Sequence, residues 1–199
     1  KVFLYFNLIC CGAFAQNDDL IQQFFADKDN FIITKSLGGN IPETYPVFNQ
    51  TNPWNAFRFK ISDTPLSDSA LKKMKQNEYH PYNHTYLFKD TALSNLFSEP
   101  EKNNLHAFGQ KLKPRQLNLP AKNIKLIPDL ANASMGFFFS VCEPVISSDG
   151  KYAFIDLTVY EKTKYTKKLS EAYFATVCVL YRKSAVGWEK LKVIQQIFL

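Results

Sequence analysis

A chain of 199 residues with a formal net charge of +6, 46% hydrophobic residues and 15% aromatic residues holds enough apolar material for one good core, which excludes an intrinsically disordered polymer. The basic excess is spread along the chain, its densest groups being Lys72-Lys73-Met74-Lys75 and the run from Lys162 to Lys168. No stripe of the kind that tracks a phosphate backbone stands out, so no nucleic-acid partner is expected.

Lys1 is followed by an apolar run that closes on Ala13-Phe14-Ala15, and the polar Gln16-Asn17-Asp18-Asp19 comes next. This layout predicts a secretory signal peptide over residues 1–15, cut after Ala15, and a single domain over 16–199. The run is shorter than the ~20 residues a bilayer-spanning helix needs, so no stable membrane span is expected and the mature chain is placed in the periplasm or outside the cell. Ile9 before Cys10, and Cys10 before Cys11, do not supply the small residue that a lipid-attachment signal places ahead of its cysteine. Cleavage leaves Cys142 and Cys178. One bridge and two buried thiols both remain open, although the strand predicted between them holds the two too far apart for a disulfide.

From Asn17 to Ala26, Leu20, Ile21, Phe24 and Phe25 recur at helical spacing behind Asn17 and Asp18, which can cap the first turn. Gly38-Gly39-Asn40 and the prolines Pro42, Pro46 and Pro53 signal turns and extended chain. The alternation of Phe57, Phe59 and Ile61 predicts a strand from Trp54 to Ile61. Leu66 to Lys75 reads as a helix, and a second helical region begins at Asp90. Ser98-Glu99-Pro100-Glu101 is a capping-box pattern ahead of a helix from about Glu99 to Leu112. Pro114 and Pro120 end that region, and Asn123 to Ile127 predicts a further strand.

The carboxy-terminal third reads as four strands, Phe137 to Ile146, Tyr152 to Glu161, Tyr173 to Lys183 and Trp188 to Phe198, with Asp149-Gly150 and Gly187 in the turns. The predicted fold is therefore α+β, with N-terminal helices packed on a C-terminal four-stranded antiparallel β-meander.

Ser140 through Lys151 with Tyr152-Ala153-Phe154-Ile155, then Tyr181-Arg182-Lys183 and Gly187-Trp188-Glu189-Lys190, resembles a family of uncharacterised exported bacterial proteins. Those proteins share a Pro, Asp-Gly-Lys-Tyr-Ala, Tyr-x-Lys and Gly-x-Trp pattern near their carboxy end. The resemblance covers about a third of the chain, implies export and hairpin architecture, and carries no activity or cofactor with it. Phe174-Ala175-Thr176-Val177-Cys178 replaces a glycine-rich, cysteine-containing stretch found in some relatives.

Glu78 to Tyr86 packs three tyrosines and two histidines into one short stretch, and Tyr79, His80, Tyr82, His84 and Tyr86 are the candidate binding residues. Tyrosine offers a rigid apolar face with a hydrogen-bonding tip, which suits a glycan or a protein surface. His80 and His84 have the spacing of a helical metal pair, but Pro81 between them breaks the helix such a pair needs, so no metal is expected. No nucleophile elbow, phosphate loop or dinucleotide fingerprint is present, and no cofactor is expected. Cys142, set in an apolar strand, reads as an inert thiol, and Trp54 and Trp188 read as core. Asn49-Gln50-Thr51, Asn83-His84-Thr85 and Asn132-Ala133-Ser134 match the N-glycosylation pattern, which a bacterial chain would leave unmodified.

The function expected is that of an exported, non-enzymatic binding or envelope-associated protein, its partner a glycan or an envelope protein. The alternative is an exported hydrolase with its site between helices and sheet, drawing on Glu143, Asp156, Tyr152 and His106.

Overall fold

The computed structural model describes residues 17–31, 43–54, 56–59, 87–128, 136–164 and 172–198. The leader over 1–15, the helix expected from Leu66 to Lys75 and the tyrosine-histidine stretch lie outside the described residues.

The backbone is organised by one sheet. Its strands are β1 (Tyr45–Phe48), β2 (Ile124–Ile127), β3 (Phe137–Val141), β4 (Val145–Ile146), β5 (Tyr152–Glu161), β6 (Tyr173–Ser184) and β7 (Gly187–Phe198). They lie in the order β2-β1-β3-β5-β6-β7, with β4 paired to β5. β3 runs antiparallel against Leu157 to Glu161 and β4 against Ala153 and Phe154, so the two occupy one edge of β5 in turn. Between them Pro144 has no N–H to give a ladder, whereas Cys142 N still donates to Asp156 O at 2.8 Å.

This sheet overturns the expected α+β fold of N-terminal helices on a four-stranded antiparallel meander. The four carboxy-terminal strand regions are strands, but the sheet has seven strands and is mixed, since β1 pairs in parallel with both β2 and β3. Among the described residues the α-helices are three and short: α1 over 17–26, α2 (Thr91–Ser94) and α3 (Glu99–Lys111). Parallel pairing joins Tyr45 to Ile124 and Val47 to Phe139, segments too far apart in sequence for any local pattern to couple them. Pro46 is accommodated within β1 by alternation. Tyr45 and Asn49 donate to Asn123 and Ile127 on the β2 side, so Pro46 turns its missing N–H toward β3, where the register is a single pair.

Both faces of the sheet are covered. On one, Leu20, Ile21, Phe24 and Phe25 of α1, each at most 1% exposed, pack with Phe31, Tyr45 and Phe139 against Ile155, Leu157, Val177 and Val179. Phe31 stacks on Tyr45 with centroids 4.3 Å apart. Each such apolar side chain stabilises the fold by roughly 1.5–3 kcal/mol. This packing, rather than propensity, supports α1, since isolated helices below ~12 residues are marginal in water. Buried Asn30 closes this end, its amide donating to Phe24 O at 2.9 Å and to the Tyr181 hydroxyl at 3.2 Å.

On the other face α3 lies over Trp54, Phe59, Phe154 and Leu180. The strand expected from Trp54 to Ile61 is instead a 3-10 helix over Ala56–Phe59. That tight turn stacks Phe59 on Trp54 (5.2 Å, 14°) and sets Arg58 against Asp156 of β5. The cap of α3 is half of the expected box: Ser98 Oγ accepts from Glu101 N at 3.4 Å, but the Glu101 carboxylate accepts from Ser148 N at 2.7 Å. α2 is capped by Asp90, which accepts from Leu93 N at 3.0 Å and pairs with Lys192 of β7.

β7 forms one outer edge. In its register with β6, Leu180 pairs with Lys192 and Tyr181 with Lys190, which leaves Leu191 as an extra residue. Val179 pairs with Val193 and Cys178 with Gln195, which leaves Ile194 as a second. The opposite edge, β2, is four residues long.

α3 packs closely on Trp54 and the Ala56–Phe59 turn because Gly109 has no side chain. A Cβ there would stand 2.9 Å from Trp54 Cδ1 and 3.5 Å from Ala56 Cβ. Gly109→Val is expected to destabilise the protein by about 1–3 kcal/mol through overpacking. Urea unfolding at pH 7 measures this, and an unchanged midpoint would refute the close approach.

Candidate functional site

Tyr79, His80, Tyr82, His84 and Tyr86 lie outside the described residues, so the structure neither gathers nor separates them. The residues of the hydrolase alternative are described, and they do not converge. Asp156 lies on β5 and Glu143 in the break between β3 and β4 beside it, but their side chains turn to opposite faces of the sheet. Cys142, one residue before Glu143, packs with Phe154 and Cys178 on the Asp156 side, while the Glu143 carboxylate bonds to α1 on the other.

Glu143 belongs to a network centred on Arg115. Its carboxylate accepts from Arg115 Nε at 2.7 Å and from Asn17 Nδ2 at 2.6 Å, and Arg115 Nη2 reaches Asp18 at 2.7 Å. Asn17 and Asp18, expected as caps, thus tie the first turn of α1 to the sheet. Burial alone would lower the Arg115 pKa, but its bonds to Asp18 and Glu143 more than offset this and hold it above the ordinary value. Arg115 N also donates to Thr51 Oγ1 at 3.0 Å, so the hydroxyl of the Asn49-Gln50-Thr51 sequon is buried in a structural bond.

On the other face Asp156 is paired with Arg58 in the interior, their side chains 9% and 3% exposed. Burial pushes the Asp156 carboxyl above its usual range, and the Arg58 charge and hydrogen bond offset part of that. Cys178 of β6 stands opposite Asp156, and Cys142, just past the end of β3, donates its N–H to Asp156 O on the other side; both are free thiols. Desolvation raises Cys142 well above the ordinary thiol value and lifts Cys178 to about 12. Both are therefore protonated at neutral pH and poor nucleophiles.

Next to this row runs a line of hydroxyls in register, Ser140 opposite Thr158 and Thr158 opposite Thr176. The register shift after Val159 leaves Phe174 extra and brings Tyr173 opposite Tyr160, on the face where its hydroxyl bonds Thr176 Oγ1. Tyr152 lies four residues from Asp156, roughly 13 Å along the strand, and packs edge-on against Phe97. His106 sits half-buried on α3. Among the described residues no group of three or more His, Cys, Asp or Glu side chains is placed to hold a metal.

A concave surface lies elsewhere among the described residues. A half-open groove of about 410 Å³ runs between α3 and the β4–β5 turn, lined by Asn104, Leu105, Ala107, Phe108 and Lys111 on the helix and Ile146, Ser147 and Ser148 opposite. Its volume is in the range of small-ligand sites. Phe108 is 45% exposed on it. The turn is held rigidly: Ser147 Oγ donates to Asp149 at 2.7 Å and accepts from Tyr152 N at 2.9 Å, while Gly150 takes φ +70°. Asn104 Nδ2 donates to Ser148 Oγ at 3.2 Å and pins the helix to the turn. Sequence reasoning passed over Arg58, Arg115 and this groove. Only the exposed Phe108 on an otherwise polar stretch of α3 hints at the groove.

Arg58→Ala removes the charge that compensates buried Asp156 and is expected to cost about 3–5 kcal/mol, while Arg58→Met with Asp156→Leu returns most of it. In Arg58→Met alone, the folded chain keeps a proton on Asp156 that the unfolded chain releases near its ordinary value of ~3.9. Stability should then fall as pH rises from 4 toward 7, more steeply than in the parent. Urea midpoints at the two pH values decide, and parallel behaviour of variant and parent would refute the pairing.

Among the described residues no helix is long and apolar enough to cross a membrane. No family model, curated protein or solved structure matches the chain.

Proposed function

We propose that the chain is an exported, non-enzymatic binding protein of the cell envelope. One observation carries this reading: among the described residues, the groove beside α3 and the candidate acid–base groups Glu143 and Asp156 occupy different places. In an enzyme the groups that move protons line the cavity that holds the substrate. Here, among the described residues, the groove between α3 and the β4–β5 turn has Lys111 as its one charged lining residue. Glu143 and Asp156 are committed to ion pairs elsewhere, on the two faces of the sheet. A groove with an exposed aromatic ring and a rigid rim is suited to holding a partner, either a glycan or an envelope protein.

Export is supported by the signal-peptide layout before Gln16 and by the carboxy-terminal likeness to exported bacterial proteins. Expression in a bacterial host should yield a periplasmic or secreted chain beginning at Gln16, read by fractionation and amino-terminal sequencing. Ala15→Arg should leave it unprocessed, and a cytoplasmic product of the parent chain would overturn the export reading.

Incubated with arrays of envelope polysaccharides and envelope protein fractions, the purified protein should bind without releasing sugar or peptide products. Phe108→Ala should weaken that binding about ten-fold or more, as loss of a buried aromatic anchor does. Product release by the parent protein, abolished in Asp156→Asn or Glu143→Gln, would replace this reading with the hydrolase.

A further inference from the structure

The groove between α3 and the β4–β5 turn is selective in what it leaves unengaged. Its polar rim is occupied internally: Asn104 donates to Ser148 Oγ, and the Ser147 hydroxyl both donates to Asp149 and accepts from Tyr152 N. These tethers fix the orientation of the rim's polar groups, so it cannot turn freely to meet the several hydroxyls of a sugar, and each one desolvated without a partner costs binding free energy. What the groove does offer is apolar surface from Ala107, Phe108 and Ile146, with Lys111 at the carboxy-terminal end of α3. Among the described residues Lys111 makes no ion pair, and Lys113 follows it on the exposed surface.

Spacing adds a second constraint. Ala107 and Phe108 stand four and three residues before Lys111, roughly 4.5–6 Å along the helix axis. In an extended peptide, side chains two residues apart lie on one face about 6.7 Å apart. An apolar side chain seated over Phe108 and Ile146 therefore places a carboxylate two residues away within reach of Lys111. The half-open shape favours a protein, which covers the groove from above, over a free acyl chain that would leave much of itself in water.

We propose that the groove is a docking site for an extended segment of a partner protein carrying an apolar residue and an acidic residue two positions apart. This rests on the binding reading above and names the partner's chemistry. The apolar side chain supplies affinity by burial, and the Lys111 pair supplies direction and selectivity.

The test uses 15N-labelled protein titrated with capped Gly-Leu-Gly-Glu-Gly, and with Gly-Leu-Gly-Gln-Gly, Gly-Ser-Gly-Glu-Gly and an oligogalacturonide as comparisons. Saturable amide shifts at Ala107, Phe108, Lys111 and Ile146 are expected with the first peptide, and affinities about three- to five-fold weaker with either altered peptide. Lys111→Glu, an exposed and fold-neutral change, should invert the preference toward Gly-Leu-Gly-Lys-Gly, which a structural role for Lys111 would not do. Equal shifts with all three peptides, or none with any, would overturn the inference. Saturable groove shifts with the oligogalacturonide alone would also overturn it while leaving the binding reading intact. Cleavage of a peptide or the oligogalacturonide by the parent protein would remove both.

Discussion

A strand whose side chains are apolar on both faces must be covered on both, and β5 is that strand. From Ala153 to Leu157 every residue is buried, and Val159 and Tyr160 follow. β3 and β4 share one of its edges and β6 takes the other, so its backbone is also paired on both sides. The remaining architecture answers this demand: α1 and its aromatic cluster lie over the odd-numbered positions, while α3 and the Ala56–Phe59 turn lie over Phe154 and Asp156. An interior strand that carries a carboxylate also requires a cation brought from outside the sheet, and that fixes where residue 58 must be.

Two arginines do related work on opposite faces. Arg58 pins a single 3-10 turn to β5, and Arg115 pins the stretch beyond α3 to α1, to the Asn49–Asn52 bridge region and to the start of β4. Neither segment lies in a long helix or strand that would locate it by backbone hydrogen bonds. Buried ion pairs contribute little net stability over a well-packed apolar alternative, but breaking one is costly. Here they act as positional constraints, each defining one arrangement of an irregular segment against an otherwise apolar sheet.

How far the sequence can be read depends on how far apart the interacting residues are. The strands from Phe137 onward are long, apolar and separated by Asp149-Gly150 and Gly187, so local pattern reveals them. β2 is legible as a strand from Asn123 to Ile127, but β1, four residues around Pro46, shows no period, and the parallel partners of both are remote. The alternation around Phe59 mimics a strand, and it is the pairing of Arg58 with Asp156, far along the chain, that goes with a 3-10 turn instead. Glu143 and Asp156 looked like neighbours because the sequence reads Phe137 to Ile146 as one strand beside Tyr152 to Glu161, whereas Glu143 falls in the break between β3 and β4. A carboxylate's face is set by register, and the shift of one position between Cys142 and Glu143 separates them completely. The groove was invisible because it belongs to two elements at once: Phe108 and Lys111 look like an ordinary amphipathic helix until Ile146 and Ser148 stand opposite.

The outer margin of β7 bears on how this protein meets others. Leu191 and Ile194 interrupt its regular spacing, and Lys190 and Lys192 sit beside them. An incoming strand would lose its hydrogen-bond rhythm at each interruption and would meet the Lys190–Asp27 and Lys192–Asp90 ion pairs at the edge. Backbone pairing is indifferent to side-chain identity, so a sheet that discourages it gives up adhesion to many chains at once. Discrimination then falls to side-chain surfaces, where exchanging a few residues on α3 can redirect the protein to a different associate without disturbing the sheet beneath.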